Sequence, residues 1–95
     1  MEFMAELYAP SLTEGSSSRA AEEAVRSLRD EGLAVRYVRS IVIPGDETCL
    51  HVFEAPSAEA VREVGRRAAI RFERIVPVFE VQPSRPPRWL AEKEE

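Results

Sequence analysis

Cys49 and His51, in the run Thr48-Cys49-Leu50-His51-Val52-Phe53, are the residues of this chain whose types and spacing come nearest to a reactive pair. On an extended strand, positions i and i+2 share a face, so thiol and imidazole are neighbours. Two readings fit. In one, His51 is a core histidine satisfied by Ser40 or a backbone carbonyl, beside a buried thiol. In the other, the two are metal ligands, because imidazole and thiolate are donors that borderline divalent metals take, or His51 serves as a base. A second set comprises Glu6, Tyr8, Tyr37, Arg39 and Glu54. Here Arg39 suits a carboxylate or phosphate and Glu6 a hydroxyl, amine or proton, unless the two simply pair with each other. The tyrosines read as interface aromatics or as part of a ligand site. Neither set has a nucleophile, base and orienting group at a diagnostic spacing. A binding or regulatory module is therefore favoured over the alternative, a small α/β-barrel-type enzyme (an isomerase or cyclase) moving a proton through Glu6 or His51.

The elements that must position these residues follow from periodicity. Glu2 to Tyr8 alternates, with Phe3, Ala5 and Leu7 on one side, and reads as a half-buried strand. Residues 9–18 are turn formers. Arg19 to Glu31 places Ala21, Ala24, Val25 and Leu28 on one helical stripe, with Ser18 as N-cap and Gly32 just past the end. The stretch from Arg36 to Pro56 holds two β-branched, aromatic-rich runs around Pro44-Gly45-Asp46-Glu47, the mark of an antiparallel hairpin. Ser57 caps a second helix whose buried stripe is Val61, Val64 and Ala68. Gly65 in its middle costs about 1 kcal/mol unless a neighbour approaches closely. Glu73 to Val81 is a last strand, and Pro77 confines it to an edge.

The order β-α-β-β-α-β predicts an α+β, ferredoxin-like domain over residues 1–82, a four-stranded antiparallel sheet in the order 4-1-3-2 with two helices on one face. Residues 83–95 form a Pro/Arg-rich arm ending in a short acidic helix, with Trp89 free to fold back or to dock on a partner. A turn centred on Gly45-Asp46 pairs Val42 with Cys49, Ser40 with His51 and Val38 with Phe53. That register puts Val38, Ser40, Val42, Cys49, His51 and Phe53 under the helices. Tyr37, Arg39, Ile41, Leu50, Val52 and Glu54 then share the open face with Met4, Glu6 and Tyr8. So apolar a face is unsuited to water. It predicts a homodimer packed sheet to sheet, with a small-molecule pocket between the sheets lined by the polar residues of the second set.

The totals narrow the class. A chain of 95 residues supports one modest core. With a net charge of −4 there is no electrostatic basis for binding nucleic acid or an anionic membrane. One cysteine excludes an internal disulfide and a thiolate-rich metal cage. No apolar run approaches the ~20 residues of a membrane span, and the first residues are acidic where a signal peptide is basic. These features predict a cytoplasmic protein.

Several short segments resemble the small bacterial nickel-responsive protein family. They are Glu2 to Leu12, Tyr37-Val38-Arg39-Ser40, Ala55-Pro56 with Ala60-Val61-Arg62-Glu63, and Arg66-Arg67. The resemblance spans residues 2–81 and implies a ferredoxin-like fold and a nickel or other divalent-metal ligand. It also implies histidine at the positions of Arg39 and Val64 and cysteine at that of His51. Arginine and valine cannot ligate a metal, so nickel binding is expected to be weak or absent, with Cys49 and His51 the only donors of the expected kind.

Overall fold

The computed structural model describes residues 1–10 and 16–83. Its elements are β1 (Glu2–Tyr8), α1 (Ser16–Asp30), β2 (Arg36–Ile43), β3 (Thr48–Glu54), α2 (Ala58–Ala68) and β4 (Arg74–Val78), with a single 3₁₀ turn at Pro44–Asp46. The strands form one antiparallel sheet in the order β2-β3-β1-β4, the expected ferredoxin-like arrangement. Both helices cover the same face. Ala21, Ala24, Val25 and Leu28 of α1 and Ala60, Val61 and Val64 of α2 share one core with Phe3, Ala5 and Phe53 of the sheet. The alanine-rich stripe of α1 lets the helix lie close to the strands, and Arg67 ties the helices together at the surface. Its guanidinium forks onto both carboxylate oxygens of Glu31, at 2.7 and 3.1 Å, and also bonds Ser27.

The hairpin turn has the expected register. Glu47 N–H closes onto Pro44 O, Ile43 faces Thr48, and Ser40 faces His51. Further along β2 the ladder slips. Arg39 pairs with Val52, but Tyr37 pairs with Phe53 and Arg36 with Glu54, so Val38 is an extra residue, a β-bulge. Because side chains alternate with period two, one inserted residue exchanges faces for everything beyond it. Tyr37 consequently lies under the helices and not on the open face, as an uninterrupted ladder requires.

Two further boundaries differ from expectation. Helix α1 begins at Ser16, so Ser18 lies in its first turn and is not the N-cap. Strand β4 ends at Val78 instead of Val81. It is an edge strand, as Pro77 requires. The arm containing Trp89 lies outside the described residues.

Both helices end in the same device. After α1, Gly32 at φ +96° lets Leu33 N–H reach Leu28 O and Gly32 N–H reach Arg29 O. After α2 the equivalent bonds run from Ile70 to Gly65 and from Ala69 to Arg66, but the left-handed residue is Ala69, at φ 57°. The turn folds the chain back over Gly65, where an added Cβ would lie 2.8 Å from the Phe72 ring. That close approach accounts for a glycine inside the helix. The left-handed conformation costs alanine about 1–2 kcal/mol, part of which glycine returns as unfolded-state entropy. Ala69→Gly should thus stabilise the domain by about 0.5–1 kcal/mol, read as a higher urea midpoint.

Candidate functional site

The helix-covered face carries a hydrogen-bond chain centred on the half-buried Ser40 and running into the core at His51 and Cys49. The bulge brings the Tyr37 hydroxyl 2.5 Å from Ser40 Oγ, and the early start of α1 sets Ser18 Oγ 2.9 Å from the same atom. Ser40 Oγ lies 2.6 Å from His51 Nδ1, and His51 Nε2 lies 3.9 Å from Cys49 Sγ. A hydroxyl has one proton and two lone pairs, so three partners saturate Ser40. One arrangement that satisfies the whole chain has Tyr37 and Ser18 donating to Ser40, Ser40 donating to Nδ1, and Nε2–H facing the sulfur. Among the described residues no buried side-chain nitrogen or oxygen is left without a partner.

This is the first of the two readings of the pair, a core histidine satisfied by Ser40. His51 is 0% exposed, and its ring packs against Tyr37, Phe53 and Phe72 with centroids 6.2 Å away. Burial pushes its pKa below the usual value near 6.5. Cys49 is also buried, and desolvation raises its thiol pKa against a smaller opposing hydrogen bond from Ser17. A thiol held protonated in this way is a poor nucleophile.

The open face receives four of the five residues of the second set. Glu2, Met4, Glu6 and Tyr8 of β1 pair with Glu54, Val52, Leu50 and Thr48 of β3, and Arg39 and Ile41 pair with Val52 and Leu50. Glu6, Tyr8, Arg39 and Glu54 therefore share this side, and Tyr37 does not. Glu6 and Arg39 do not pair with each other, and each charge finds another partner. Glu6 meets Arg74 at 3.4 Å, Glu54 meets Arg36 at 3.1 Å, and Arg39 meets Glu80 at 2.7 Å. The last bond holds the Glu80 carboxyl below its usual range and pushes the Arg39 guanidinium up. Glu80 belongs to a segment that reads as strand in the sequence, which is why it was not foreseeable as the partner of Arg39. Ile41 remains 42% exposed, with Ile43 and Tyr8 also exposed along the same face. A cavity of about 690 Å³ lies at the β1–β4 end of the sheet, lined by Met1, Glu2, Pro77, Val78, Phe79 and Glu80 among others.

Residues 3–78 match the sequence profile described as nickel responsive protein SCO4226-like. The chain belongs to that family. The crystal structure of SCO4226 from Streptomyces coelicolor A3(2) superposes with a TM-score of 0.68 at 23% identity, covering 86% of this chain and all of the other, which shows the shared fold. No curated protein matches the chain.

The residues present do not fit a nickel ion. Nickel takes four to six borderline donors, and among the described residues no group of three or more His, Cys, Asp or Glu side chains converges. Where the family resemblance implies histidine, this chain has an arginine committed to Glu80 and a fully buried core valine, Val64.

The buried imidazole makes a pH prediction. The unfolded chain takes up a proton near pH 6.5, where folded His51 still excludes it. Its contribution is therefore complete above about pH 6.5 and is lost as pH falls below that value towards the depressed folded pKa. Because His51 is the single histidine, urea unfolding between pH 7.5 and 5 should show a slope of up to about 1.4 kcal/mol per pH unit that His51→Gln abolishes. An unchanged slope in the variant would contradict this placement.

Proposed function

We propose that the chain is a non-enzymatic binding or regulatory module that works in the cytoplasm as a homodimer, joined through the open sheet face and holding a small ligand between the two sheets. The observation that carries this reading is the apolar surface left on the open face, although Val42, on the helix-covered side of β2, is 50% exposed as well. Ile41, Ile43 and Tyr8 are exposed on a face whose central residue, Val52, is already buried in the single chain. A second sheet would complete that layer, as in other two-layer packings. Glu6, Tyr8, Arg39 and Glu54 are the polar groups available to a ligand there. Being ion-paired, the three charged ones can exchange a protein partner for a ligand group at modest cost, since exposed pairs contribute about 0–1 kcal/mol.

The enzymatic alternative, proton transfer through Glu6 or His51, has less support. His51 is sealed in the core, and Glu6 faces a guanidinium. A ligand other than nickel suits the donor set better, whatever the SCO4226-like relatives bind. Among the described residues, no helix is long and apolar enough to cross a membrane.

Native mass spectrometry of the freshly purified chain tests the reading. The expected species is a dimer, with a retained small molecule visible as added mass. Ile41→Lys should weaken the dimer by at least about tenfold by placing unpaired charge in an apolar layer, without unfolding the domain. A wild-type monomer at micromolar concentration would refute the assembly. Calorimetric titration with nickel should show no sub-micromolar site; such a site, lost in His51→Ala, would overturn the metal argument.

A further inference from the structure

The chain beyond β4 does not continue along the sheet edge. β4 and β2 occupy opposite edges, about 14 Å apart at ~4.8 Å per strand step. Yet the carboxylate of Glu80, two residues past β4, lies 2.7 Å from the guanidinium of Arg39 on β2. The segment after Val78 is therefore drawn inward over the end of the open face.

Its side chains alternate in an unusual sense. The charged residue, Glu80, turns down to the sheet. Its apolar neighbours Phe79 and Val81 are 85% and 80% exposed. Such polarity is inverted for a segment facing water and correct for one facing protein. Phe79 itself forms one wall of the 690 Å³ cavity, together with Met1, Pro77 and Val78 and the polar Glu2, Glu80 and Gln82. One surface thus carries a large apolar projection and an adjoining apolar recess.

We propose that Phe79 of each protomer inserts into this recess on a second copy of the chain, so that knob and hole exchange across a two-fold axis. A two-fold contact requires the same patch on both subunits to be self-complementary, and an exposed aromatic ring at the wall of an apolar recess supplies both parts of such a patch. The patch is continuous with the open face through Glu2 and Val78, which pair across β1 and β4 on that side of the sheet. A buried phenylalanine removes about 150–250 Å² from water, and the symmetry doubles it. This inference rests on the sheet-face dimer proposed above and adds the residue that locks it.

Sedimentation equilibrium of the full chain as wild type and as Phe79→Asp tests it, with circular dichroism confirming the fold. The wild type should be a dimer, and Phe79→Asp should weaken association about a hundredfold or more while the unfolding midpoint stays near wild type. Phe79→Ser, which adds no charge, should weaken it about tenfold or more. A folded variant that dimerises with wild-type affinity overturns the knob and leaves the sheet-face dimer standing. A wild-type monomer overturns both. Unfolding of both variants would also overturn it, by showing that Phe79 packs within its own chain.

Discussion

A four-stranded sheet covered by helices on one side only leaves its other side to be satisfied from elsewhere, and that constraint governs the arrangement of this chain. The covered side is dense. Two short helices with small buried residues lie against Phe3, Ala5 and Phe53, and Arg67 clamps them to each other. The uncovered side is a compromise between charge and grease. Three ion pairs, Glu6–Arg74, Arg36–Glu54 and Arg39–Glu80, line it around Val52 and Ile41. Exposed pairs of this kind contribute little to stability. They set charge along an otherwise apolar surface, so that any surface packed on it would have to meet that charge.

The bulge at Val38 divides the work between the faces. By inserting one residue it delivers Tyr37 to the core, where its hydroxyl completes the bonds of Ser40 and its ring packs on His51 and Phe53. Without it, Ser40 would retain Ser18 and His51 as partners, and the phenol would stand on the open face. A buried polar group left unpaired costs about 1–3 kcal/mol, so the chain from Tyr37 to Cys49 stabilises the core only because it is complete. Among the described residues no three His, Cys, Asp or Glu side chains converge. The same fold carries a satisfied hydrogen-bond network where a metal would need open donors, an instance of function residing in grafted sites and not in the fold.

Much of this was legible from residue order. Alternation in Glu2–Tyr8, the Pro44-Gly45-Asp46-Glu47 turn, the Ser57 cap and Pro77 near the end of the chain are local signals, and each predicted its element. The pairing of Ser40 with His51 also followed, because the turn sets the register nearby. What escaped was non-local. A bulge leaves no mark in the run Arg36-Tyr37-Val38-Arg39, since Val38 suits either face, so alternation alone places Tyr37 on the open face. Ser16 to Ser18 read as loop formers, although the first turn of a helix favours the same residues. The partner of Arg39 lies in a segment whose alternation imitates a strand but which follows the end of β4.

The most direct test of the account is which face joins two chains. In an isotope-filtered NMR experiment on a mixture of labelled and unlabelled protein, the account predicts intermolecular contacts from the methyl groups of Ile41, Leu50 and Val76, the last paired with Met4 on the open face. No such contacts should arise from the core methyl groups of Val25, Val61 and Val64. Contacts confined to the helical side, or none at concentrations where the protein is fully associated, would contradict it.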